Sequence, residues 1–131
     1  METWGSYIVE KTQGELATYS PSEVSFVMFF PEAHLLGAVG ALKAEGNLNI
    51  GCQSVYQYDT EPGGNFGAFT SSRTANSMIE IGCTHTIIGH CEERNSLNSV
   101  LQEAGVNKPE AVTRILNREI LTAQKAGLSV L

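Results

Sequence analysis

Three side chains that can take part in proton transfer stand side by side at His90, Cys91 and Glu92. They follow the apolar run 84–89, which predicts a strand buried on both faces. In a parallel α/β fold, ligands bind at the carboxyl ends of strands, where these residues would lie. A helix beginning near Cys91 would favour a neutral imidazole at its positive end. His90 could then polarise a carbonyl and Glu92 could orient a substrate; the alternative is that His90 only caps the helix.

The elements that would position these residues alternate along the chain. Strands are predicted over 24–30, 48–53 and 84–89, with short candidates at 7–9 and 128–131. Helices are predicted from Glu32 to Lys43, from a cap at Thr70-Ser71-Ser72 to Ile81, and from Lys108 to Gly127. This alternation predicts an α/β fold with a parallel sheet. The polar loop 56–66 is long for such a fold, which is typical of a functional or mobile segment.

Composition and charge exclude several classes of function. The 131 residues fit one domain, which we expect to span 1–131, and 42% of them are hydrophobic. The net charge of −6 comes without a basic stripe, so we expect no nucleic-acid partner. We also expect no membrane association, because no apolar stretch approaches the length of a membrane span. No secretory leader is recognisable, and the simple interpretation of three unpaired cysteines is reduced thiols in the cytoplasm.

A metal site and a thiolate nucleophile are the other interpretations of this segment. Metal-binding residue types stand at Cys83, His85, His90, Cys91 and Glu92. However, strand alternation places 83, 85, 87 and 89 on one face and His90 on the other, and the spacing fits no tetrahedral pattern. We therefore predict no metal and no cofactor. Cys91 beside His90 could act as a nucleophile if its thiol were ionised.

Four motifs, in order along the chain, resemble the triosephosphate isomerase family. These are a strand at 49–56, the loop tip Gly67-Ala68-Phe69-Thr70, the helix at 77–83 and the histidine turn at 87–92. The resemblance covers most of the chain and is strongest from Asn49 to Arg94. It implies a partial TIM-type (β/α) barrel of about four β/α units plus a terminal strand. It also implies interconversion of dihydroxyacetone phosphate and glyceraldehyde 3-phosphate through an enediolate, in glycolysis and gluconeogenesis, with a triose phosphate as substrate.

The resemblance assigns roles to individual residues. The family's catalytic histidine falls on His90, and the glutamate that follows it falls on Glu92. Gln53, Phe69 and Thr70 match residues that lie near the active site and the subunit interface. Because the family's third loop inserts into the partner subunit, the resemblance implies a homodimer or a higher homo-oligomer.

Two further substrate contacts are weaker expectations. Ser6 aligns with the start of the family's Asn-x-Lys motif, but the lysine position then holds Ile8. Glu32 follows the strand at 24–30, and it could approach His90 of a second copy if two half-barrels pair. In the family, the base comes from a strand end related to this one by half-barrel symmetry.

Other departures leave the reaction open. A full barrel has about 250 residues, and the family's glutamate base, lid and phosphate loops belong to its second half. Ser72 and Glu93 replace a glutamate and an arginine that form an ion pair in the family, so both partners are changed together. The alternatives to an isomerase are a non-catalytic binding relative and one half of a split enzyme.

Overall fold

Four parallel strands form the sheet of this protein, in the spatial order of the chain. The structure is a computed structural model that describes residues 4–131; Met1 to Thr3, within the segment examined for a leader, lie outside the described residues. The strands are β1 (Phe26–Phe30), β2 (Leu48–Gln53), β3 (His85–Ile87) and β4 (Ser129–Val130). The predicted α/β fold with a parallel sheet is confirmed.

Helices fill the intervals between these strands and precede the first of them. They are α1 (Trp4–Leu16), α2 (Glu32–Gly40), α3 (Ala75–Ile81), α4 (Cys91–Glu103) and α5 (Pro109–Ala126). Across residues 4–131, no helix combines the length and the apolar character that crossing a membrane would need.

The predicted strand at 7–9 is wrong, because this segment lies inside α1. The buried residues of α1, which are Gly5, Val9 and Gln13, follow one another at four-residue spacing, close to the helical period. The described chain therefore has three β/α units and a terminal strand, preceded by a helix, where about four units were expected. Gly5 lets α1 approach α2 closely, because a Cβ atom at this position would lie 2.4 Å from the carbonyl oxygen of His34.

Helix α3 begins later than predicted. Its N-cap is Thr74, whose side chain accepts a hydrogen bond from the Ser77 N–H at 3.3 Å, so the predicted cap at Thr70-Ser71-Ser72 is wrong. The predicted end is confirmed, since Gly82 adopts a left-handed conformation with φ of 110°. Helix α2 ends at Gly40, before the predicted Lys43.

The fully buried strand residues identify the face of the sheet that the helices cover. Ile50, Cys52 and Thr86 are fully buried and belong to the covered face. The alternate positions Val27, Phe29 and Ile87 are half-buried, and Gln53 is exposed. We call Val27, Phe29, Gln53 and Ile87 the open sheet face.

Candidate active site

His90 lies where β3 gives way to α4, at the carboxyl edge of the sheet. It is the N-cap residue of α4, and Gly89 before it has a φ of 81°. Only glycine adopts this conformation readily. A Cβ atom added at Gly89 would also displace the end of the Arg94 side chain, since it would lie 2.8 Å from Nη2 of Arg94. The predicted position of His90, at a strand end and a helix start, is confirmed.

Glu92 binds both of the neighbouring side chains. Its Oε2 accepts a hydrogen bond from the Cys91 thiol at 3.0 Å and pairs with Nδ1 of His90. The hydrogen bonds from Cys91, from the Glu92 backbone and from His90 lower the pKa of Glu92 to about 2. Because an ionised carboxylate only accepts hydrogen bonds, Nδ1 of His90 is the donor. Nε2 is then the nitrogen that can exchange a proton with a ligand.

A cavity of about 700 Å³ adjoins His90, a volume typical of small-molecule sites. It brings together the predicted residues Gln53, His90 and Glu92. Arg73, Ser54 and Glu93 also line it, and Arg73 is the one lysine or arginine among the lining residues. The sequence pattern did not indicate Arg73 or Ser54, since each comes from a loop that only the fold brings to His90.

The remaining predicted residues lie elsewhere. Ser6, expected as a weak substrate contact, is part of α1 and does not line this cavity. Glu32 begins α2, and its carboxylate lies 3.9 Å from Nε of Arg73 in the same chain. Phe69 and Thr70 line a second cavity of about 600 Å³. The Phe69 ring packs edge-on against Tyr56, with centroids 6.2 Å apart.

Glu93 connects three parts of the fold. Its Oε2 accepts a hydrogen bond from the Gly89 N–H at 2.6 Å, and its Oε1 accepts one from the Ser54 hydroxyl. Glu93 also acts on Glu119 of α5: burial, then the Glu93 charge and a hydrogen bond with Glu93, raise the pKa of Glu119 to about 8. The sequence held a signal for Glu119, because it shares the stripe of positions 112, 116, 119 and 123 that α5 buries.

Three donor atoms that could hold a cation lie close together. Those of His90, Cys91 and Glu92 are within 4.8 Å of one another, and this is the one such group in residues 4–131. All three residues are exposed, and the positive end of α4 disfavours a cation there. Hydrogen bonding to Glu92 also raises the pKa of the Cys91 thiol, which disfavours both thiolate ligation and nucleophilic attack.

These features define a class: an α/β protein whose parallel sheet presents a histidine–glutamate pair beside a cavity at its carboxyl edge. The model of the family described as triosephosphate isomerase matches residues 5–124. The chain belongs to the triosephosphate isomerase family.

Relatives in this family match the chain over part of their own length. Triosephosphate isomerase of Pseudomonas entomophila is 27% identical over 122 residues, which is 93% of this chain and 41% of that protein. That of Chloroflexus aurantiacus is 39% identical over 64 residues, 49% of this chain and 23% of that protein. The crystal structure of triosephosphate isomerase from Bartonella henselae shares the fold with a TM-score of 0.64, at 24% identity over 94% of this chain and 44% of that one. The chain thus spans less than half the length of these relatives.

Proposed function

We propose that this chain is an aldose–ketose isomerase that interconverts dihydroxyacetone phosphate and glyceraldehyde 3-phosphate in the cytoplasm. The observation that carries the proposal is the placement of His90 and Glu92 with Gln53 on one cavity at the carboxyl edge of the sheet. Membership of the triosephosphate isomerase family supports the choice of substrate. Arg73 is the cavity's cation and the candidate contact for the substrate phosphate.

The isomerisation moves two protons, one from C1 to C2 and one from the C1 oxygen to the C2 oxygen. A base removes a proton from C1 of the ketose, and the electron pair forms the C1–C2 double bond of an enediolate as negative charge moves onto the C2 oxygen. The base then returns the proton to C2, and the proton of the C1 hydroxyl passes to the C2 oxygen, which leaves an aldehyde at C1 and a hydroxyl at C2. Nε2 of His90 exchanges protons with the two substrate oxygen atoms, because Nδ1 is hydrogen-bonded to the ionised Glu92. Nε2 takes the proton from the C1 hydroxyl and gives it to the C2 oxygen, in place of the expected hydrogen bond from His90 to the carbonyl.

The test is a coupled isomerase assay on protein purified from a host that lacks its own triosephosphate isomerase. His90→Gln should lower kcat by about 100-fold or more, whereas His34→Gln, in the helical layer, should leave turnover close to the parent value. Activity that survives His90→Gln would come from another enzyme. Absence of turnover by the parent at millimolar substrate would contradict the proposal.

Self-association is the second part of the proposal. The open sheet face and the strand edges β1 and β4 are the surfaces that a homodimer would cover, because parallel sheets are normally covered on both faces. Such a pair could bring Glu32 of one copy to His90 of the other, as the missing base. Unchanged turnover in Glu32→Gln would eliminate that role.

Two other functions follow from the short match to the relatives. One is a binding protein that retains the scaffold without the reaction, favoured by the cavity's two carboxylates, Glu92 and Glu93, against the single cation Arg73. The other is one half of a split isomerase, for which adding a chain with the second half of the barrel would produce turnover. The assay above, run alone and with such a chain, separates all three.

A further inference from the structure

Glu93 is placed to hold the turn that carries His90. One carboxylate oxygen takes the Gly89 N–H and the other takes the Ser54 hydroxyl, so β2 and the β3–α4 turn are joined through a single side chain. Ser54 has a φ of 72°, an uncommon conformation for a residue with a side chain. A conformation of this kind persists only where its surroundings hold it in place.

The hydrogen bonds decide which role Glu93 can fill. Although it lines the cavity, each of its oxygens already accepts a donor from the protein, and taking up a substrate proton would break those contacts. Glu93 is therefore a positioning residue, and its carboxylate stabilises the turn at Gly89 and His90.

Glu119 approaches the same carboxylate from α5. It is only 7% exposed, and within residues 4–131 no N–H or O–H group donates to its Oε2. The charged groups that act on it are Glu93 of α4 and Arg73, which precedes α3; β4 carries no titratable side chain. The attraction of Arg73 favours an ionised Glu119, but burial and the Glu93 charge outweigh it. Two neighbouring carboxyl groups with little solvent cannot both carry a charge cheaply, so one proton is retained.

We propose that Glu93 and Glu119 are positioning residues, joined by the proton that Glu119 retains, and that together they hold the Gly89–His90 turn against the end of strand β2 and helix α5. When that proton is lost, two negative charges oppose each other across the α4–α5 contact and the turn loosens. The inference rests on the proposed function only in naming His90 as the residue to be positioned. The readouts below require no turnover, so they can succeed or fail independently of the isomerase assay.

The direction of the pH effect follows from the raised pKa of Glu119. The group is ionised in the unfolded chain above its ordinary value near 4.5, but it stays protonated in the folded chain up to about 8. Its contribution to stability is therefore complete below about pH 4.5 and is lost as the pH rises to about 8. Glutamine mimics the protonated carboxyl and donates at every pH, so Glu119→Gln should escape this loss.

Thermal unfolding tests the contact between Glu93 and Glu119. It is measured at pH 5, 7 and 9 for the parent, for Glu119→Gln and for the exposed control Glu103→Gln. We expect Glu119→Gln to unfold about 3 °C or more above the parent at pH 9, with a smaller difference at pH 5. Glu103→Gln should follow the parent throughout. Parallel curves for the parent and Glu119→Gln from pH 5 to 9 would overturn the proposal.

An NMR titration separates positioning from a merely structural role. In the parent, the Gly89 amide and the His90 imidazole should both shift in a step centred near pH 8, and this step should be absent in Glu119→Gln. A stability change without any shift at Gly89 and His90 would overturn the positioning role. Because the titration can be done on the parent alone, it decides the matter even if a variant fails to fold.

Discussion

Cys91 shows how one carboxylate sets the chemistry of its neighbours. The thiol is exposed, yet it donates to Glu92 at 3.0 Å, and this contact raises its pKa above the ordinary value. Only the thiolate is alkylated at a useful rate. Exposure alone would therefore overestimate the reactivity of Cys91.

We predict that Glu92→Gln accelerates alkylation of Cys91 by iodoacetamide at pH 8, because the thiol loses the charged acceptor that keeps it protonated. Mass spectrometry after timed quenching gives the rate at each cysteine. Cys52 and Cys83 are buried and serve as internal controls that should stay unlabelled in the folded protein. Equal rates at Cys91 in the parent and in Glu92→Gln would contradict this account.

The sequence indicated the residues near His90 and missed those that reach it from a distance. His90 and Glu92 were predicted because they follow a recognisable strand, and Gln53 was assigned by the resemblance to the family. Arg73 and Ser54 lie in loops, where local pattern gives no information on which cavity they face. Glu119 stood on the buried stripe of α5, but only the fold places it beside Glu93.

At the scale of elements, the glycines that end helices were predicted correctly, whereas the type of element at residues 7–9 was not. The ends of α3 and α5 at Gly82 and Gly127 were predicted from the glycines, and both adopt left-handed conformations. Residues 7–9 form a short apolar run, which fits the period of a strand as well as that of a helix. Burial of Val9 and Gln13 on one side of α1, against α2, resolves the ambiguity in favour of a helix.

Gly82→Ala should destabilise the protein by about 1–2 kcal/mol through its backbone conformation, and by more through contact. Its φ is 110°, and an added Cβ atom would lie 2.6 Å from Cγ1 of Val39. Gly14→Ala is the matched control: this glycine is exposed inside α1 with nothing within 4 Å of the added atom, so alanine should stabilise by about 0.5–1 kcal/mol. Urea unfolding gives both values, and a shift of the same sign in both variants would contradict the assignment.

At the scale of the whole molecule, the open sheet face is the surface through which we expect a second copy to bind. Val27 and Phe29 are half-buried there, while the alternate positions of β1 pack against the helices. We predict that the parent self-associates at micromolar concentration and that Val27→Glu shifts it to the monomer, because a carboxylate would be buried without a partner.

Sedimentation velocity over a range of concentrations measures this association. Leu36→Glu, at a leucine that is 71% exposed on α2, is the control for an added charge and should leave the association unchanged. A parent that remains monomeric at 100 times the lowest concentration would contradict self-association through the sheet.

The contact between Glu93 and Glu119 also bears on the order in which the protein folds. Gly89, His90 and Glu93 are close in sequence, so their turn can form with the first residues of α4. Its anchor on α5 comes from a residue 26 positions beyond Glu93 (119 minus 93), and joining distant segments costs chain entropy that local contacts do not. The histidine turn therefore reaches its final rigidity only after α5 docks. In a refolding chain, protection of the Gly89 amide from exchange would then mark the completion of the tertiary structure.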